Sequence, residues 1–255
     1  MGKRIVAVLN QKGGVGKTTT AVNLGAYLAR SGRSVLIADL DPQGNATSGL
    51  GLDKSVLSET MYDALFEHER APQIVRDTEF DNLKILPANQ NLAGAEVQLV
   101  SAMQRELQLK QVLEQFDYDY VFIDCPPSLG LLTINALSAA DYVLIPVQTE
   151  YYALEGLSQL LNVIERVKEA LNPDLTVLGV LLTMFDSRTS LSDQVQAEVK
   201  KHFGDKVFST VIPRNVRLAE APSFGKPISE HDKWSKGARA YKSLAKEVEK
   251  RVSQG

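Results

Sequence analysis

Residues 10 to 20 read NQKGGVGKTTT and follow directly on an apolar run, Ile5-Val-Ala-Val-Leu9. Strand, glycine-bearing turn and a helix starting near Lys17 form an arrangement in which backbone N–H groups and a helix N-terminus converge on phosphate oxygens. Gly13, Gly14 and Gly16 permit close backbone approach, Lys17 neutralises the outer phosphates, and the Thr18 hydroxyl is placed to ligate Mg²⁺. The stretch departs from the pattern G-x-x-x-x-G-K-[ST] at one place. Where glycine is required, five residues before Gly16, the chain has Gln11, and a second lysine, Lys12, follows it. A second lysine serving the same phosphates is redundant. It acts either in trans, as a cation lent to a neighbouring chain, or simply as a surface lysine beside a polyanion.

The remaining apolar runs set the frame around this loop. Val35–Ala38, Leu83–Leu86, Tyr120–Ile123, Tyr142–Ile145, Thr176–Leu182 and Val207–Ile212 are short, rich in β-branched residues and continuous rather than alternating, as strands covered on both faces should be. Between them lie segments of helical period. In 154 to 171, Leu154, Leu157, Leu161, Ile164, Val167 and Leu171 make one apolar stripe, and Ser235 to Val252 repeats the pattern with Tyr241, Leu244, Ala245, Val248 and Val252. The expected fold is α/β, a doubly wound, mostly parallel sheet with helices on both faces and its ligand site at the C-terminal strand ends. Ser48 to Phe80 is the least regular stretch, expected as short helices over one sheet edge. A single domain spanning 1–255 is the simplest reading, since 44% hydrophobic content suffices for one large core.

Two aspartate-bearing stretches fall where such a site needs carboxylates. Asp39 closes the second strand with Asp41 just beyond it, and Asp124 closes another in the sequence Phe122-Ile-Asp-Cys-Pro-Pro127. Asp124 is assigned to metal support and Asp41 to orienting the attacking water. Cys125 is the only cysteine, which excludes a disulfide framework and points to a cytoplasmic compartment. No signal peptide or membrane span is expected before the loop. Charge is unevenly spread. Residues 187 to 255 carry 14 Lys+Arg against 8 Asp+Glu, although the whole chain is at −3. That basic region either faces a polyanion or is an ordinary solvated surface.

Five blocks in order then carry a resemblance over nearly the whole chain: K-G-G-V-G-K-T-T, D-x-D-P-Q-G-N, D-C-P-P, P-V-Q-x-E-Y-Y-A-L-E-G and I-P-R-N-V-R-L-x-E-A-P-S-F-G-K-P. The chain resembles the ParA/Soj family of chromosome and plasmid partitioning ATPases, whose loop is the deviant Walker A form with Lys12 as its signature lysine. The resemblance implies that Lys12, Gly13, Gly14, Val15, Gly16, Lys17, Thr18 and Thr19 contact ATP. It places the Pro213 to Asn215 segment beside the adenine and Mg²⁺ on Thr18. Lys12 then reaches phosphates of the opposite subunit in an ATP-dependent homodimer, and Lys12, Lys17 and Asp41 form the catalytic set. Arg188 and Arg217 match residues associated with nonspecific double-stranded DNA. The implied cycle is a nucleoid-associated ATP dimer released by slow hydrolysis, which a ParB/Spo0J-type centromere-binding protein stimulates. Some relatives also act on a replication initiator. The alternative is a MinD-like ATP switch for membranes, which requires bulky apolar anchors in a C-terminal amphipathic helix. None follows Leu244. An iron protein of the same superfamily requires more thiolates than Cys125 supplies.

Overall fold

The computed structural model describes residues 2–151, 154 and 156–254. Of the P-V-Q-x-E-Y-Y-A-L-E-G block, Tyr152, Ala153 and Glu155 lie outside the described residues. Seven strands form one sheet: β1 (Arg4–Val8), β2 (Val35–Asp39), β3 (Arg76–Asp77), β4 (Leu83–Leu86), β5 (Tyr120–Asp124), β6 (Tyr142–Gln148) and β7 (Thr176–Thr183). Their order is β3-β4-β2-β5-β1-β6-β7. Every neighbouring pair is parallel except β3 and β4.

The continuous apolar runs behave as expected of two-sided burial. Every residue of β2 and β5 is buried, and their alternate side chains feed two core layers. Ala38, Val121 and Ile123 enter the layer that holds helices Leu131–Ala139 and Leu157–Ala170. Ile37, Tyr120 and Phe122 enter the other, with α1 (Lys17–Arg30) and the C-terminal helix Lys236–Gln254. Register fixes the site: Val8 and Asp39 both pair with Asp124, so β1, β5 and β2 end side by side. The C-terminal helix buries Tyr241, Leu244, Ala245, Val248 and Val252 against the body, as its period predicts.

One expected strand is absent from the sheet. Val207 makes an isolated parallel bridge to Val180 of the edge strand β7, and beyond both segments Phe185 makes another to Pro213. Phe208 N and Ile212 N do donate to the Val180 and Leu182 carbonyls at 2.9 and 2.8 Å. Between them, however, the N–H groups of Ser209 and Thr210 turn to the Glu247 carboxylate at 2.8 and 2.9 Å, which lifts the backbone off the ladder. The helix expected over 154 to 171 runs Leu157–Ala170, so Leu154 and Leu171 flank it. The stretch 48 to 80 contains the short helices Met61–Phe66 and Ala71–Ile74 and the two-residue β3. No helix among the described residues is long and apolar enough to cross a membrane.

Candidate nucleotide-binding site

The loop after β1 is shaped from both ends. Asn10 donates through Nδ2 to the Pro146 carbonyl at 2.7 Å and accepts from Lys12 N at 3.0 Å, anchoring its start to β6. Thr183, at the end of β7, donates to the Val15 carbonyl at 2.8 Å. Gly16 takes φ +90°, a left-handed conformation, and an added Cβ would meet nothing closer than Thr183 Cγ2 at 3.8 Å. Glycine is therefore demanded there by backbone angle and not by space. An added Cβ at Gly13 or Gly14 would meet nothing within 4 Å, so a ligand can approach that arc of backbone closely. Thr18 and Thr19 follow in the first turn of α1, where helix N–H groups have no intrahelical partner.

Lys17 is buried, with its Nζ 3.2 Å from the Lys12 carbonyl. Burial lowers its pKa, while Asp124, Cys125 and Asp41 hold it up. Lys12 behaves differently. Its carbonyl faces the cradle, but its ammonium turns to Glu150 Oε2 at 3.5 Å, and the other Glu150 oxygen accepts from Gln148 Nε2. The two ammonium groups therefore have different partners within the chain.

Asp124 is fully buried, and neither carboxylate oxygen has a hydrogen-bond partner. Burial first and Asp39 second push its pKa well above the usual carboxylate range, which the nearby Thr18 hydroxyl and the Lys17 ammonium offset only in part. An unpaired buried carboxylate is costly, and a cation or a metal-bound water is the partner that satisfies it. Among the described residues no group of three His, Cys, Asp or Glu side chains could hold a metal ion. The residues therefore fit Mg²⁺ as Thr18 and Asp124 completing a shell that phosphate oxygens and water supply. Asp41 is buried and accepts from Gln43 N at 2.9 Å. Asp39 is pushed up to about 6 by burial, against hydrogen bonds from Thr47 and Asp41.

Beside the loop lies a cavity of about 400 Å³ whose lining includes Gly16, Thr19, Thr183, Pro213, Asn215 and Tyr241. The structure thus brings the Pro213 to Asn215 segment to the loop. Asn215 also caps a short helix, accepting from Leu218 N at 3.2 Å. Arg188 and Arg217 are exposed and paired within the chain. Arg188 grips Asp186 with Nε and Nη2 at 2.8 and 2.7 Å, and Arg217 meets Glu220 at 2.9 Å and Asp232 at 3.7 Å. Asn10, Thr183, Thr47 and Glu150 shape the site without having been singled out in the sequence; Thr183 carries the one available signal, a hydroxyl at a strand end.

With this geometry in view, the relatives are informative. A family model describing an AAA domain matches residues 3–177. The sporulation initiation inhibitor protein Soj of Bacillus subtilis is 60% identical over 250 residues, covering 97% of this chain and 98% of its own. The chain belongs to the Soj/ParA family of chromosome-partitioning ATPases. The chromosome partitioning protein ParA of Myxococcus xanthus is 54% identical, with 97% of this chain and 88% of that protein covered. Among solved structures, a cobyrinic acid a,c-diamide synthase from Mycobacterium smegmatis, with bound ADP and magnesium, is 40% identical. Its TM-score is 0.88, with 99% of this chain and 96% of that one covered. The cell division ATPase MinD of Pyrococcus furiosus is 27% identical with a TM-score of 0.79, over 98% of this chain and 99% of that one. This chain carries its glycine-bearing loop and both candidate carboxylates at the strand ends of a mostly parallel sheet.

Proposed function

We propose that the chain is an ATP-driven DNA-partitioning switch. ATP fills the cradle of Lys12 to Thr19, its base in the cavity lined by Pro213 and Asn215. Lys17 neutralises the outer phosphates, and Asp41 orients the attacking water. Thr18 and Asp124 would hold Mg²⁺, which would supply charge neutralisation at the phosphate oxygens when bound. Lys12 serves the phosphates of a second copy, so ATP joins two chains. The joined basic surfaces, with Arg188 and Arg217, then bind duplex DNA through its phosphates, without reading sequence. Hydrolysis dissolves the dimer and frees the DNA, and a ParB/Spo0J-type partner with a basic N-terminal segment accelerates it. A replication initiator is a further partner of some relatives. The chain works in the cytoplasm, on the nucleoid while ATP is bound.

The observation that carries this reading is the different placement of the two ammonium groups. Lys17 occupies the cradle while the Lys12 ammonium stands off it, on Glu150. Burial of the apolar face of the C-terminal helix supports DNA over a membrane as the surface controlled, because no apolar stripe is left to insert. Light scattering and DNA retention, each with ATP and with ADP, test it. The parent should dimerise and retain DNA only with ATP, and Lys12→Ala should bind ATP as a monomer. An ATP-dependent dimer of that variant removes the trans role, and DNA retention indifferent to nucleotide removes the switch.

A further inference from the structure

Asp39 sits at the end of β2, directly beside Asp124 in the sheet, and position alone nominates it as a second metal-supporting carboxylate. Its oxygens are otherwise engaged. Oδ1 accepts from Asp41 N at 3.2 Å, and Oδ2 accepts from both the N–H and the hydroxyl of Thr47, at 2.8 and 2.7 Å. The same Thr47 hydroxyl accepts from Ala88 N at 2.9 Å, beyond the end of β4. All of Asp39, Thr47 and Ala88 are buried. The turn between Asp41 and α2 (Asn45–Gly49) is pressed against the same place: Gly44 takes φ +61°, and a Cβ on it would lie 2.6 Å from the Ala88 carbonyl oxygen. Gly44 N closes that turn on the Asp41 carbonyl at 2.9 Å.

We propose that Thr47, acting through Asp39, is a positioning residue for hydrolysis: together they clamp the Asp41 turn between β2, α2 and the Ala88 segment, and neither touches ATP or metal. The inference rests on Asp41 as the group that orients water. The Asp41 side chain accepts from its own turn, at Gln43 N, so its aim follows the clamp. A shift of an ångström in such a group costs orders of magnitude in rate while leaving ground-state binding alone.

The test is steady-state hydrolysis and ATP titration of Thr47→Val and Thr47→Ser beside Asp41→Ala, with melting curves for each. Thr47→Val removes the hydroxyl and keeps the shape. Its kcat should fall about 10-fold or more with KM and ATP affinity within about 2-fold, and Thr47→Ser should restore most of the rate. Thr47→Ala, which leaves room for a water, replaces the valine variant if that one does not fold. An unaltered kcat overturns the proposal. So does a serine variant as slow as the valine one, or a loss of ATP affinity parallel to the loss of rate, since either marks a purely structural role. If Asp41→Ala hydrolyses at the parental rate, the Asp41 reading fails; if it is inactive while Thr47→Val is parental, only the positioning role fails.

Discussion

At the scale of the residue, the site depends on which charges are buried and what they face. The Lys17 ammonium is held in a buried position that lowers its pKa, with Asp124 as the largest opposing influence. Once phosphate enters, that ammonium gains the partner for which its burial is worthwhile. Lys17→Ala should therefore lose on the order of 3 to 5 kcal/mol of ATP binding, more than a hundredfold in affinity by calorimetric titration. An affinity unchanged from the parent would remove the loop assignment. Residues with a local spelling were legible in the sequence: the glycines and lysines of 12 to 18, and the carboxylates of Asp41 and Asp124 at strand ends. Thr47, Thr183 and Asn10 were not. Each acts by touching a segment distant in sequence, as when Thr183 reaches Val15 across 168 positions, and no spacing rule records such a contact.

At the scale of the element, periodicity identified six of the seven strands and the helices Leu157–Ala170 and Lys236–Gln254, but not the helix Ser190–Phe203; two-sided burial makes a parallel strand continuously apolar. It failed at Val207 to Ile212 for a reason outside that segment: Glu247, on the C-terminal helix, captures the middle N–H groups. It also missed β3, whose two residues are too few to carry a pattern. Arg251 completes the fastening of the C-terminal helix. Its guanidinium donates to the carbonyls of Leu178, Lys206 and Val207 at 3.0, 3.2 and 2.8 Å and stacks 4.1 Å over the Phe208 ring. Arg251→Met keeps most of the stem but strands those carbonyls. The expected loss is about 2 to 3 kcal/mol, read as a fall in Tm of about 5 to 10 °C for a chain of this size. A melting curve identical to the parent's would show that the helix is held by its apolar face alone.

At the scale of the whole molecule, the opposed charge of the two sequence regions is the feature that composition alone conceals. The basic part is not a bare cationic surface, since Arg188 and Arg217 both answer to acids of the same chain. Under the proposed function, DNA phosphates would compete with Asp186 and Glu220 for these guanidinium groups, which would make single contacts weak and paired ones worthwhile. Arg188→Ala combined with Arg217→Ala should keep the ATP-dependent dimer. It should reduce the slope of log affinity against log salt by about 2 for each chain engaged, measured by DNA retention across salt concentrations; an unaltered slope counts against this surface. The borders of the sheet carry a different consequence. One is a two-residue antiparallel strand, and along the other the Val207 to Pro213 segment and the Arg251 guanidinium take up carbonyls of β7. Among the described residues neither border offers a strand-length row of free backbone groups, the template on which crowded chains aggregate. Copies brought to high local density are therefore offered, among the described residues, no long strand edge on which to pair.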